Sequence, residues 1–260
     1  MKLTVLNDNN TLTDHYFMGE PGLSFLIETG GRKILFDTGY SDVFIRNAQR
    51  MGIGFLDLDT IVISHGHLDH TWGLVDLVRY FTEAAIEKKE IRIPELIAHP
   101  RCFYPKEKLP LQNNGSILDE AEVRRRFPVN LSRWPVWITA DLVFLGEIPR
   151  KFAFEHTDPG KRRILHPDGR IEPDLLLDDS ALAYRSSAGL IIITGCSHAG
   201  ICNITEYART VCGDDRVLDI VGGLHLLDPG ADRLEKTCRY LGSLELKALH
   251  ACHCTSLASK

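Results

Sequence analysis

Ser64-His65-Gly66-His67-Leu68-Asp69-His70-Thr71-Trp72-Gly73, SHGHLDHTWG, places three histidines and an aspartate within six positions. The preceding residues, Asp59-Thr60-Ile61-Val62-Ile63, form an apolar run rich in β-branched side chains. That run predicts a buried strand with the histidines at its end. His65 and His67 are two apart, so in an extended segment they point the same way. Asp69 and His70 follow where the chain turns into a helix predicted over Thr71 to Lys89, on the helical spacing of Leu74, Leu77, Val78, Phe81, Ala85 and Ile86. Imidazole nitrogens and carboxylate oxygens are ligands for zinc and other divalent first-row ions. Four such groups crowd one ion awkwardly; two adjacent ions, each completed by distant ligands, relieve the crowding. Gly66 is expected to let the backbone turn tightly between two ligands.

Two distant histidines stand in equivalent places. His198 follows the apolar strand predicted over Leu190 to Thr194, and His253 follows one predicted over Glu245 to His250. Gly30-Gly31 and Ser186-Ser187-Ala188-Gly189 read as hairpin turns. Helices are expected near Asp42 to Met51, Asn203 to Val211 and Asp232 to Leu241. Strand-rich and helix-containing stretches recur in two similar halves, which predicts one α+β domain over residues 1–260 with two sheets covered by helices. Between about residues 101 and 177 the pattern breaks down. Eight of the twelve prolines fall there, with basic clusters at Arg124 to Arg126 and Lys161 to Arg163. An insertion of ordered loops forming a lid is expected.

The chain has 260 residues and a formal net charge of -5, so nothing in its electrostatics points to nucleic acid or an anionic membrane as a partner. Its start, MKLTVLNDNN, lacks the apolar core of a signal peptide, and the run Ala188 to Ile193 is too short to cross a bilayer. A cytoplasmic location is expected; the oligomeric state is left open. Seven cysteines, an odd number without framework spacing, suit thiols in a reducing compartment. Cys196, Cys252 and Cys254 lie within two residues of a histidine. Alternation along a strand points Cys252 and Cys254 away from His253, which predicts buried core thiols, with a thiolate-rich structural zinc site as the rival. Asp178-Asp179 is read as a solvated turn, with a partner to an outer-shell histidine as the alternative.

His65-Gly66-His67-Leu68-Asp69-His70 resembles the signature of the metallo-β-lactamase superfamily, and Phe36-Asp37-Thr38-Gly39 resembles the strand that precedes it there. The resemblance spans the chain apart from the insertion. A narrower likeness lies in Asp8-Asn9-Asn10, Glu20 to Ile27, Gly195-Cys196-Ser197-His198-Ala199-Gly200-Ile201, Gly222-Gly223-Leu224-His225-Leu226 and His253-Cys254-Thr255. Together these resemble the subfamily known as 7,8-dihydropterin-6-yl-methyl-4-(β-D-ribofuranosyl)aminobenzene 5'-phosphate synthase-like.

The resemblance implies a four-layer αββα sandwich. It also implies two divalent metal ions, zinc first, with manganese or iron as alternatives. His65, His67 and His198 would hold one ion, and Asp69, His70 and His253 the other. Asp37 would orient a ligand imidazole from behind. A water shared between the ions, deprotonated near neutral pH, would be the nucleophile, with Asp69 part of the catalytic group. Binuclear relatives usually carry a bridging aspartate after the strand that follows the His198 motif, yet here Gly222-Gly223-Leu224-His225 has no carboxylate before Asp228. His225 is therefore expected to act as general acid or substrate contact, with metal ligand as the lesser choice. Asn9 and Glu20 are expected to reach the substrate. The function implied is metal-dependent hydrolysis of a small, anionic ester, phosphoester or lactone, phosphorylated compounds included. The alternative is a non-catalytic ligand-sensing protein on the same metal-binding fold.

Overall fold

Gly30 and Gly31 both take positive φ, 58° and 72°, and close the first hairpin as the paired glycines predict. The computed structural model describes residues 1–110, 113–156 and 158–260. Along the chain, β1 (Lys2–Asn7), β2 (Ser24–Thr29), β3 (Arg32–Phe36), α1 (Val43–Arg50), β4 (Thr60–Val62), α2 (Leu68–Thr71) and α3 (Gly73–Ile86) come first. Next are β5 (Glu95–Ala98), β6 (Lys106–Lys108), α4 (Glu120–Arg124), β7 (Val129–Leu131), β8 (Val136–Trp137) and β9 (Leu142–Phe144). They are followed by β10 (Arg162–Leu165), β11 (Ile171–Pro173), β12 (Ala181–Ser186) and β13 (Gly189–Thr194). Last come α5 (Ile201–Cys212), β14 (Val217–Gly223), α6 (Ala231–Gly242) and β15 (Ala248–Cys252). The chain divides into two compact units, Met1–Leu131 with Pro159–Asp174, and Ser132–Asp158 with Leu175–Lys260.

In the first unit a six-stranded sheet runs β1-β2-β3-β4-β5-β7. From β3 to β7 the strands are parallel, so their carboxyl ends share one edge. That edge receives Asp37 after β3 and the SHGHLDH segment after β4. Phe44, Ile45 and Ala48 of α1 and Leu74, Leu77 and Phe81 of α3 pack with Leu26, Leu35, Ile61 and Leu96 of the sheet. The alternate residues Phe25, Ile27, Ile34, Phe36, Val62 and Ile97 are buried as well. Burial on both faces explains why β4 reads as a continuous apolar run. The predicted helix from Thr71 is interrupted at Trp72, which caps α3, and ends at Ile86, because Lys88 turns into the left-handed region (φ 59°).

The second unit carries a six-stranded sheet in the order β15-β14-β13-β12-β9-β8. β13, β14 and β15 are parallel, so His198, His225 and His253, which follow them in turn, leave from one edge. Ile201, Cys202, Ile204 and Ala208 of α5 cover Val143, Ala183, Leu190, Ile192 and Ile220.

Glu155 fixes the start of α5. Its buried carboxylate accepts the Cys202 and Asn203 N–H groups at 2.9 and 2.8 Å, two amides the helix cannot satisfy itself. Burial pushes that carboxyl up, despite those hydrogen bonds. A raised carboxylate holds its proton more tightly folded than unfolded, where the value is about 4.3, so stability falls as pH rises from there through the folded value. Glu155→Gln should therefore flatten the Tm-against-pH curve across that acidic window. A variant whose Tm follows the wild-type curve at every pH would count against this role.

Candidate metal centre

On the first unit the motif is held by a chain of hydrogen bonds that begins at Asp37. This residue is fully buried and has φ 57°, a left-handed conformation that a non-glycine residue adopts under constraint. Its Oδ1 accepts the Ser64 N–H at 2.7 Å, and its Oδ2 accepts the Ser64 hydroxyl at 2.7 Å. The same Oδ2 lies 2.7 Å from His70 Nδ1. Asp37 can only accept, so Nδ1 of His70 carries the proton and Nε2 the lone pair. Ser64 Oγ, having donated to Asp37, accepts from His65 Nδ1 at 2.9 Å, which puts the lone pair of His65 on Nε2. Asp37 thus touches His70 directly and reaches His65 through Ser64, a relay the sequence reading did not single out.

Nε2 of His65 and Nδ1 of His67 converge to 3.0 Å. Two nitrogens on one tetrahedral zinc stand about 3.3 Å apart, so these atoms are nearly placed to share an ion. Nε2 of His70 and Oδ2 of Asp69 form a second pair at 3.9 Å. His65 and His70 are fully buried, whereas the Asp69 side chain is partly open. The His65 and His70 rings also lie close, with centroids 4.3 Å apart, so the four groups form one cluster.

Gly66 has a different reason from the one expected. It does not take positive φ; a Cβ there would lie 1.9 Å from the Cys102 carbonyl oxygen. The insertion braces the motif at further points. His67 bridges to Gly115, Leu68 N–H donates to the Asn114 carbonyl at 3.2 Å, and Trp72 Nε1 donates to the Gly115 carbonyl at 2.8 Å. The Arg124 to Arg126 cluster is largely neutralised by its own helix. Arg124 pairs with Glu120 at 2.7 Å, and Arg125 and Arg126 both pair with Glu122.

Asn9 is exposed, and its side-chain oxygen accepts the Gly22 N–H at 3.3 Å. Glu20 is engaged by the chain itself. Its carboxylate accepts the Tyr40 and Ser41 N–H groups at 2.9 and 3.0 Å and the Ser41 hydroxyl at 2.5 Å, clamping the loop after Asp37.

On the second unit His198 and His253 are buried, and His225 is half-buried. His198 and His225 lie ring to ring, centroids 4.2 Å apart. The loop carrying His198 is pinned on both sides. Asp179 accepts the Ala199 N–H at 2.8 Å, and Ser197 Oγ donates to the Gly223 carbonyl at 2.6 Å. Asp178 and Asp179 are therefore buried rather than a solvated turn, and burial pushes the Asp179 carboxyl up to about 7.

The cysteines depart from the strand-alternation argument. β15 ends at Cys252, and His253 takes φ 50°, so alternation stops there. The Cys254 thiol then accepts the His225 N–H at 3.2 Å, while the Cys196 thiol lies 3.1 Å from His253 Nε2. Cys254 is buried beside the histidines, not turned from them. Burial opposes charge on its thiol. Hydrogen bonding with Cys196 and His225 and the imidazoles of His253 and His225 outweigh burial and hold the thiol well below its ordinary range.

The model of the metallo-β-lactamase superfamily matches residues 18–211, and the chain belongs to that superfamily. It has the metallo-β-lactamase fold. Over 257 residues it is 32% identical to the 7,8-dihydropterin-6-methyl-4-(β-D-ribofuranosyl)-aminobenzene-5'-phosphate synthase of Methanocaldococcus jannaschii, covering 94% of this chain and 84% of that protein. An uncharacterised protein of the same organism is 28% identical, with 97% and 90% covered. Among solved structures, a metal-dependent hydrolase of the β-lactamase superfamily superposes with a TM-score of 0.80 at 28% identity, covering 99% of this chain and 89% of that one. The resemblance in the motifs thus extends over the length of the chain. No helix among the described residues is long and apolar enough to cross a membrane.

Proposed function

We propose that this protein is a metal-dependent hydrolase with two divalent ions, acting on a small anionic ester, phosphoester or lactone. The observation that carries the proposal is the convergence of histidine ligand atoms in the SHGHLDH segment, with Asp37 and Ser64 setting the lone pairs of His70 and His65 on Nε2. The donor chemistry fits, because imidazoles in a fixed tautomer, joined by a carboxylate, suit zinc, manganese or iron. In this reading His65, His67 and His198 serve one ion, and Asp69, His70 and His253 the other. Bound there, divalent ions supply Lewis acidity that activates a water and stabilises charge on the attacked group. His225 is the proposed proton donor to the leaving group. Asn9 meets the substrate, and Glu20 holds the Tyr40-Ser41 loop in place. The name of the methanogen relative describes a phosphorylated product, which favours phosphate-bearing compounds here.

The test is metal analysis of the purified protein together with a panel of phosphomonoesters, phosphodiesters, lactones and thioesters. Two equivalents of metal are expected, one of them lost in Asp69→Ala and in His253→Ala. If both variants retain full metal content, the two-ion reading is wrong. Tight binding of a panel compound without any turnover would instead favour a ligand sensor. His225→Ala should keep its metal and lose turnover.

A further inference from the structure

We propose that Cys196 and Cys254, beside His253, give the metal centre of this chain a sulfur-bearing ligand set. This rests on the metal-centre reading above and specifies its chemistry.

The starting point is a deficit of negative charge. The strand end Gly222-Gly223-Leu224-His225 carries no carboxylate, and the next one, Asp228, is exposed. His198 and His253 are neutral when they ligate, so the second unit would bring no anionic donor at all unless sulfur supplies one. Two thiols stand where such a donor is needed. One ligand atom each from Cys196, His225 and Cys254 lies within 4.8 Å of the others. The Cys196 sulfur is also 3.1 Å from His253 Nε2. Sulfur and nitrogen on one tetrahedral zinc stand about 3.5 Å apart, so an ion would enter this group with shifts of a few tenths of an ångström.

Two further features fit. Ser197, His225 and His253, each adjacent to or within the group, take φ of 59°, 51° and 50°. Left-handed conformations at non-glycine residues carry a cost and cluster at functional sites. Gly223 leaves room for the sulfur, since a Cβ there would stand 2.6 Å from Cys254 Sγ. On binding, a thiol proton passes to solvent and the sulfur lone pair forms the metal bond. Thiolate ligation selects zinc, cobalt or cadmium over the harder manganese and magnesium.

The experiment uses the full-length protein, stripped with a chelator and reloaded with cobalt(II), and separately with zinc. Cobalt-loaded wild type should show near-ultraviolet thiolate-to-cobalt charge-transfer absorption. Cys196→Ser should lose most of that band at unchanged protein fold by circular dichroism, and Cys254→Ser should weaken it. X-ray absorption on the zinc-loaded wild type needs no variant and should show a sulfur shell at about 2.3 Å. Ions surrounded by nitrogen and oxygen alone, with no charge-transfer band, overturn the sulfur set and leave the metal centre standing. Wild-type protein that takes up neither ion overturns both.

Discussion

Asp37→Asn is expected to weaken metal binding by about 10- to 100-fold and to cost about 3–5 kcal/mol of stability. The carboxylate is fully buried and accepts from Ser64 N, Ser64 Oγ and His70 Nδ1, each at 2.7 Å. An asparagine in the same space has one oxygen and one NH2 group. Whichever way it turns, N–H faces a donor that the carboxylate had satisfied, and a buried donor loses its partner. The damage reaches the ions through tautomers. Without an acceptor at Nδ1, His70 is no longer held with its lone pair on Nε2, and Ser64 no longer orients His65. Metal content per chain and urea denaturation of the metal-free protein separate the two effects. Wild-type values in both would remove Asp37 from the account.

Gly66→Ala is expected to be more destructive than a single methyl group suggests, above the roughly 3 kcal/mol upper range of ordinary overpacking. The added Cβ would sit 1.9 Å from the Cys102 carbonyl oxygen and 2.8 Å from Lys106 Cε. The lysine tail can move, but the carbonyl belongs to a backbone that also braces the motif. Gly31→Ala provides the contrast. Gly31 has φ 72° but nothing within 4 Å of a new Cβ, so its penalty is conformational, about 1–2 kcal/mol. Denaturant midpoints of the two variants decide the matter. Equal losses would mean that close approach is not what selects glycine between His65 and His67.

The strand ends were legible in the sequence because buried parallel strands are continuous apolar runs, and each candidate ligand segment follows one. β4, β13 and β15 deliver SHGHLDH, His198 and His253 in this way. The boundaries shifted where a local conformation intervened, as at Lys88, which ends α3. Side-chain direction beyond a strand end was not legible. Alternation turned Cys254 away from His253, but the left-handed backbone at His253 breaks that alternation. Asp178 and Asp179 look like a turn because two adjacent carboxylates are usually solvated, yet Asp179 is buried where it accepts the Ala199 N–H. Glu20 looked like a pocket residue, and its oxygens are engaged by the backbone of residues 40 and 41.

By itself the sequence determined the family, the strand-end placement of the candidate ligands and the absence of a carboxylate after β14, because spacing and residue chemistry are local properties. Only the tertiary structure decided which ring nitrogen of His65 and His70 carries the lone pair, why Gly66 must be glycine, and that two thiols lie among the histidines. Tautomers, close approach and left-handed backbone are imposed by residues far away in the chain, and no local pattern records them.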